Sequence, residues 1–134
     1  MSSIVRTIPI PGTLDTAKAS LYKWGTSLPA GYVYYINSAY MHPSTNMASG
    51  AGSGSIFTLR DEDGNAIASL SQAASAIAAS GTAFGSFSST YREIDASSTQ
   101  HYLYVDFANS GSFSTYPIDT QIVVNIEVRK SATV

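Results

Sequence analysis

The sequence contains no cysteine, which excludes disulfides and thiolate metal sites. Charge is scarce as well. Asp, Glu, Lys and Arg make up 12% of the residues, well below the share usual in a soluble domain, and the net charge is -2. A nucleic-acid binder needs a basic footprint to displace counterions, and this chain has none. Only two histidines are present, which leaves little for proton transfer or imidazole ligation. No run approaches the roughly 18 apolar residues a membrane helix needs. MSSIVRTIPIPG lacks the long apolar core of a signal peptide. Neither a nucleic acid nor a membrane is therefore expected as a partner.

The apolar share is 44%, too high for a disordered chain. At 134 residues the chain has the length of one domain. Such a domain buries roughly 65–70% of its unfolded surface, enough for a core without staples. With so few charges, the surface must be covered by Ser, Thr, Asn, Ala and Gly. Such a surface suits close packing against another protein, where a charge would have to be desolvated.

The dominant period is two. In QIVVNIEVR, Ile122, Val124, Ile126 and Val128 share one face, opposite Val123, Asn125, Glu127 and Arg129. HYLYVDFAN sets Leu103, Val105 and Phe107 against Tyr102, Tyr104 and Asp106. GYVYYIN sets Val33 and Tyr35 against Tyr32, Tyr34 and Ile36. IFTLRDEDGNAIASL reads as a hairpin turning on Asp61–Gly64, with Gly64 supplying a positive φ. IVRTIPI is a further strand or an extended arm, and Pro9 and Pro11 confine it to an edge. TAFGSFSSTYREID holds two short strands around a bend. Two stretches allow a helix. TLDTAKASLYKW spaces Leu14, Ala17, Leu21 and Trp24 at helical intervals, and SLSQAASAIAAS is rich in alanine. The expected total is about eight short strands in an all-β sandwich or barrel. The run AYMHPSTNMASGAGSGS, from Ala39 to Ser55, is expected to cross between strands at one end.

No constellation carries chemistry. Nucleophilic catalysis has only His42 and His101 to draw on, and no G-x-S-x-G elbow occurs. Glu93 and Asp95 lie two apart, while Asp106 and Glu127 stand singly. They read as solvated strand faces paired with Arg92 or Arg129 rather than as a glycosidase pair. Asp61, Asp63 and Asn65 resemble the start of a calcium loop. The bidentate acid needed near its end is missing, and the hairpin accounts for DEDG. The expectation is a protein that is no enzyme and holds no metal or cofactor. The aromatics Trp24, Tyr32, Tyr34, Tyr35, Tyr40, Tyr102, Tyr104 and Tyr116 remain. On strands they either cap the core, anchor a protein interface, or stack on sugars.

The IVRTIPIPG start, the LPAGYVYYI strand, the LRDEDGNAI hairpin and the YLYVDFAN…QIVVNIEVRKS ending resemble small β-sandwich structural proteins of tailed bacteriophages, in particular head decoration (cement) proteins. That resemblance implies a jelly-roll sandwich (13–134) with an extended N-terminal arm (1–12). It implies a virion protein on the capsid surface, made in the host cytoplasm. It also implies a homotrimer that binds the major capsid protein across subunit junctions and stabilises the head. The expected contacts are Ile4, Val5, Ile8, Pro9, Ile10 and Pro11 of the arm, and Met47, Ser49 and Gly50 of the loop. Tyr32, Tyr34, Tyr102 and Tyr104 are expected between protomers. The alternative is a glycan-binding or receptor-binding module of a phage tail fibre or tail tip, using the same tyrosines.

Overall fold

The fold can be followed outward from one hairpin. In chain order the strands are β1 (Ser2–Ile10), β2 (Thr13–Leu14), β3 (Lys23–Leu28), β4 (Tyr32–His42), β5 (Ser55–Asp61), β6 (Ala66–Ser71), β7 (Thr82–Ala83), β8 (Glu93–Ala96), β9 (His101–Asn109), β10 (Tyr116–Pro117) and β11 (Thr120–Lys130). They come from a computed structural model, which describes residues 2–10, 13–14, 23–43, 55–71, 81–109, 116–117 and 120–130. The hairpin joins β5 to β6. Gly64 takes φ +88° and donates its N–H to the Asp61 carbonyl at 3.0 Å. The Asp61 carboxylate holds the loop from inside. Its Oδ1 accepts the N–H groups of Asp63 (3.0 Å) and Asn65 (2.9 Å), and its Oδ2 accepts from Asn65 Nδ2 (3.1 Å).

Each successive pair lies outside the last. After β5·β6 come β4·β8, β3·β9 and β1·β11, all antiparallel. This is one long hairpin. Its winding adds two further pairings, β4·β11 and β5·β9. The result is two sheets, β1-β11-β4 continued by β7 and β8 on the far edge of β4, and β3-β9-β5-β6. Without the two-residue strands β2, β7 and β10, eight strands remain, in the order of a jelly roll. Thr13–Leu14 pairs separately with Tyr116–Pro117.

The alternation expected from sequence builds the core. Ile122, Val124 and Ile126 are fully buried, as are Leu103 and Val105, and Val128 packs partly against them. The segment read as strand or arm is a strand. Residues 2–10 pair with β11 along their whole length, and Ile8 and Ile10 are in the core. Two bulges redirect the pattern. Between β4 and β11 the register steps from Ser38↔Asn125 to Ile36↔Ile126, so Asn37 is an extra residue. Tyr34 and Ile36 face inward before it, Ala39 and Met41 after it. A second step, between Leu59 and Arg60, leaves Ile67 and Ala68 buried in succession.

Of the two stretches that allowed a helix, only the ends are described, and these are strand: Thr13–Leu14, Trp24 and Ser69–Ser71. The remainder of both stretches lies outside the described residues. At Trp24, pairing and burial on β3 outweigh the helical spacing. The start of the Ala39–Ser55 run is also strand, because β4 extends to His42. The connection that follows passes from one sheet to the other.

One flank of the sandwich is closed. Phe84 inserts into the core and its N–H reaches the Ala39 carbonyl (2.8 Å). Gly85 exchanges two hydrogen bonds with Ser69, and Ser88 donates to the Ile67 carbonyl at 2.8 Å. The segment thus ties β4 of one sheet to β6 of the other. It begins at Gly81, with φ +117° and a position where a β-carbon would fall 2.5 Å from His42 Cε1. Gly81→Ala is therefore expected to lower the unfolding free energy by about 1–3 kcal/mol, read as a lower urea midpoint.

Candidate functional site

The opposite flank is formed by β1 and β3, the edge strands of the two sheets. Among the described residues nothing pairs with the outer edge of β1. Val5, 57% exposed, stands on the outer face of β1 with Ser3, Thr7 and Pro9, also exposed. The other face of β1 carries Ile4, Arg6, Ile8 and Ile10, which point into the sandwich. Three of the four are apolar. Arg6 places a guanidinium where the pattern calls for a hydrocarbon.

Around Arg6 the mouth of the sandwich stays open. A cleft of about 240 Å³ is lined by Ile4, Arg6, Pro29, Tyr32, Tyr34 and Val128. Tyr34 forms its inner wall, 2% exposed, with its hydroxyl donating to the Pro29 carbonyl at 2.7 Å. Burial pushes the Tyr34 phenol up, partly offset by the positive charge of Arg6. Tyr32 forms the outer wall, 42% exposed, its ring centroid 6.2 Å from that of Tyr34. Arg6 Nε is buried and has no hydrogen-bond partner. The other arginines described are satisfied. Arg60 pairs with Asp106 (2.8 Å), Arg129 with Glu127 (2.8 Å), and Arg92 donates to the Ile36 and Asn37 carbonyls. A buried donor left unpaired costs roughly 1–3 kcal/mol.

Four of the carboxylates singled out in the sequence, Asp61, Asp63, Glu93 and Asp95, meet at the same end, on the closed flank. The hairpin tip brings Asp61, Glu62 and Asp63 beside Glu93 and Asp95 of β8 and His101 of β9, around a cavity of about 220 Å³. Most are already engaged. Asp61 holds its own turn. Glu62 Oε1 contacts His101 Nδ1 at 3.0 Å and accepts the Tyr102 N–H at 3.1 Å. Glu93 lies 3.6 Å from Arg129. Asp95 Oδ1 accepts the Ser97 N–H at 3.0 Å. The Asp63 carboxylate, exposed at the tip, has no partner among the described residues. Among the described residues no three such side chains are placed so that they could hold a metal ion. Asp106 is tied to Arg60 and Glu127 to Arg129. His42 packs on Gly81, away from His101.

Hydrogen bonds from Ser97, side chain first and then backbone, hold the Asp95 carboxyl below the ordinary Asp value, with His101 adding to the effect. A depressed pKa contributes stability above the unfolded value of about 3.9. That contribution is lost as pH falls through the lower folded value. Asp95→Asn is expected to flatten the acid limb of the stability curve, measured by urea unfolding from neutral pH downward.

The expected contact residues that the structure describes fall into three groups. Val5, Pro9, Tyr32 and Tyr102 are exposed, Ile4 and Tyr104 are half-buried, and Ile8, Ile10 and Tyr34 are core. Pro11, Met47, Ser49 and Gly50 lie outside the described residues. Arg6 was legible in the sequence as the one charge on the inward parity of IVRTIPI, yet periodicity alone gave it no role. Comparison with protein-family models, characterised proteins and solved structures found no match.

Proposed function

We propose that this protein is a non-enzymatic structural component of a virion, a decoration protein that stabilises a phage head. It binds the major capsid protein across subunit junctions as a homotrimer on the capsid surface. The observation that carries this reading is the open β1 flank, where Val5 lies exposed beside the cleft of Ile4, Arg6 and Tyr32. An unpaired strand edge is a template for association, and natural proteins cover such edges. The sequence resemblance and the jelly-roll strand order support it, the latter as an analogy at the level of fold. The mechanism is added buried interface. Each copy contributes little after ordering costs, and many copies on one shell sum.

Mixing the purified chain with shells lacking it, followed by sedimentation, tests the reading. Saturable binding and a higher shell melting temperature are expected. Absence of binding sinks it. A second reading, a glycan-binding module of a tail fibre or tip, is favoured by the exposed rings of Tyr32 and Tyr102, the latter 54% exposed. Hits on a glycan array that vanish with Tyr102→Ala would favour it.

A further inference from the structure

The Arg6 guanidinium and the Asp63 carboxylate have no ion-pair partner among the described residues, and they sit at the same end of the sandwich on opposite flanks. Arg6 lines the cleft of the open flank, and Asp63 tips the hairpin near the closed one. The register shows the shared end. Tyr32 pairs with Ala96, Leu28 with His101, and Asp61 with Leu103, so the turns beyond them lie together. Val128 of the cleft is at that end as well, opposite Ser2.

We propose that the Arg6 cleft receives the acidic hairpin tip of a second copy of this chain, with Asp63 accepting from the Arg6 guanidinium. The incoming carboxylate meets the Arg6 guanidinium, which lines the cleft. Ile4, Tyr32 and Val128 give the tip's backbone an apolar seat. The charge pair sets register and orientation, and the apolar cover sets affinity. Acid presented by one flank and base by the other make the contact heterologous, each copy giving its tip to one neighbour and its cleft to another. A heterologous contact closes into a ring when its rotation divides a full turn, and a ring is what the proposed oligomer requires. The inference rests on the self-association in the proposed function, not on capsid binding.

The test is solution mass by light scattering across a concentration series, on wild type, Asp63→Lys, Arg6→Glu and the double variant. Wild type is expected to be a closed oligomer. Each single change is expected to raise the dissociation constant about tenfold or more. The double variant, which exchanges the two signs, is expected to restore the oligomer. Asp63 is exposed on a turn held by Asp61, so Asp63→Lys reports on association with the fold intact. Circular dichroism on Arg6→Glu separates lost assembly from lost folding. A monomeric wild type overturns the inference, as does an oligomer that survives Asp63→Lys, or a folded double variant that stays monomeric. Shell binding by a monomeric wild type would leave the capsid reading standing while this one falls.

Discussion

Replacing Phe57 with alanine is expected to lower the unfolding free energy by about 3–5 kcal/mol, a large share of the total of a domain this size. Phe57 is fully buried on β5, in one cluster with Leu59, Leu70, Leu103 and Val105. Its register partners are Leu70 on one side and Phe107 on the other, so it stands in the middle of its sheet. A void there cannot collapse without moving paired strands, because both neighbours are held by backbone ladders. Urea unfolding is the measurement: the midpoint should fall while the slope stays unchanged. Protein concentration must be held fixed, since self-association feeds into apparent stability. A change below about 1 kcal/mol would mean that the two sheets do not meet at this position.

Arg92→Ala is expected to cost about 2–4 kcal/mol, large for a side chain on the outer part of a sheet. The bulge at Asn37 turns two carbonyls out of the ladder, and Arg92 gathers them. Its Nε and one terminal nitrogen donate to the Ile36 carbonyl at 3.0 and 2.9 Å, and that terminal nitrogen reaches the Asn37 carbonyl at 3.0 Å. The Ile36 N–H in turn donates to the Arg92 carbonyl at 2.8 Å. The guanidinium lies between the rings of Tyr35 (4.7 Å) and Phe87 (4.6 Å). Arg92→Lys keeps the charge but loses the planar fork and the stacking, so it is expected to recover less than half the loss. Full recovery by lysine would show that charge alone acts there. Thermal unfolding of the three proteins side by side decides it.

These two residues differ in how far the sequence announces them. Phe57 lies in an apolar strand beside an unmistakable turn, and local pattern is enough to place it inward. Nothing in STYREID marks Arg92. Its role exists because an extra residue in β4, more than fifty positions away, frees carbonyls that an arginine can reach. A bulge leaves little trace in a two-residue period until the burial of both sides is seen. The same displacement explains why Tyr34 and Ile36 part company with Ala39 and Met41 in sequence parity while sharing the core in space.

By itself the sequence determined what local chemistry controls. Alternation at Leu103–Val105 and Ile122–Ile126 set the strands and their inward faces. Gly64 and Asp61 set the hairpin, and Pro9 kept β1 at an edge. Scarce charge limited what the surface could bind. Tertiary structure alone decided what depends on partners distant along the chain. It placed Leu14 and Trp24 in strands, because ladder pairing outweighs propensity there. It wound one long hairpin into two sheets, and left Arg6 and Asp63 at one end of the molecule without an ion-pair partner among the described residues. Period-two patterning reports which way a side chain points, not which strand lies beside it, and a site made by neighbours is written only once the neighbours have met.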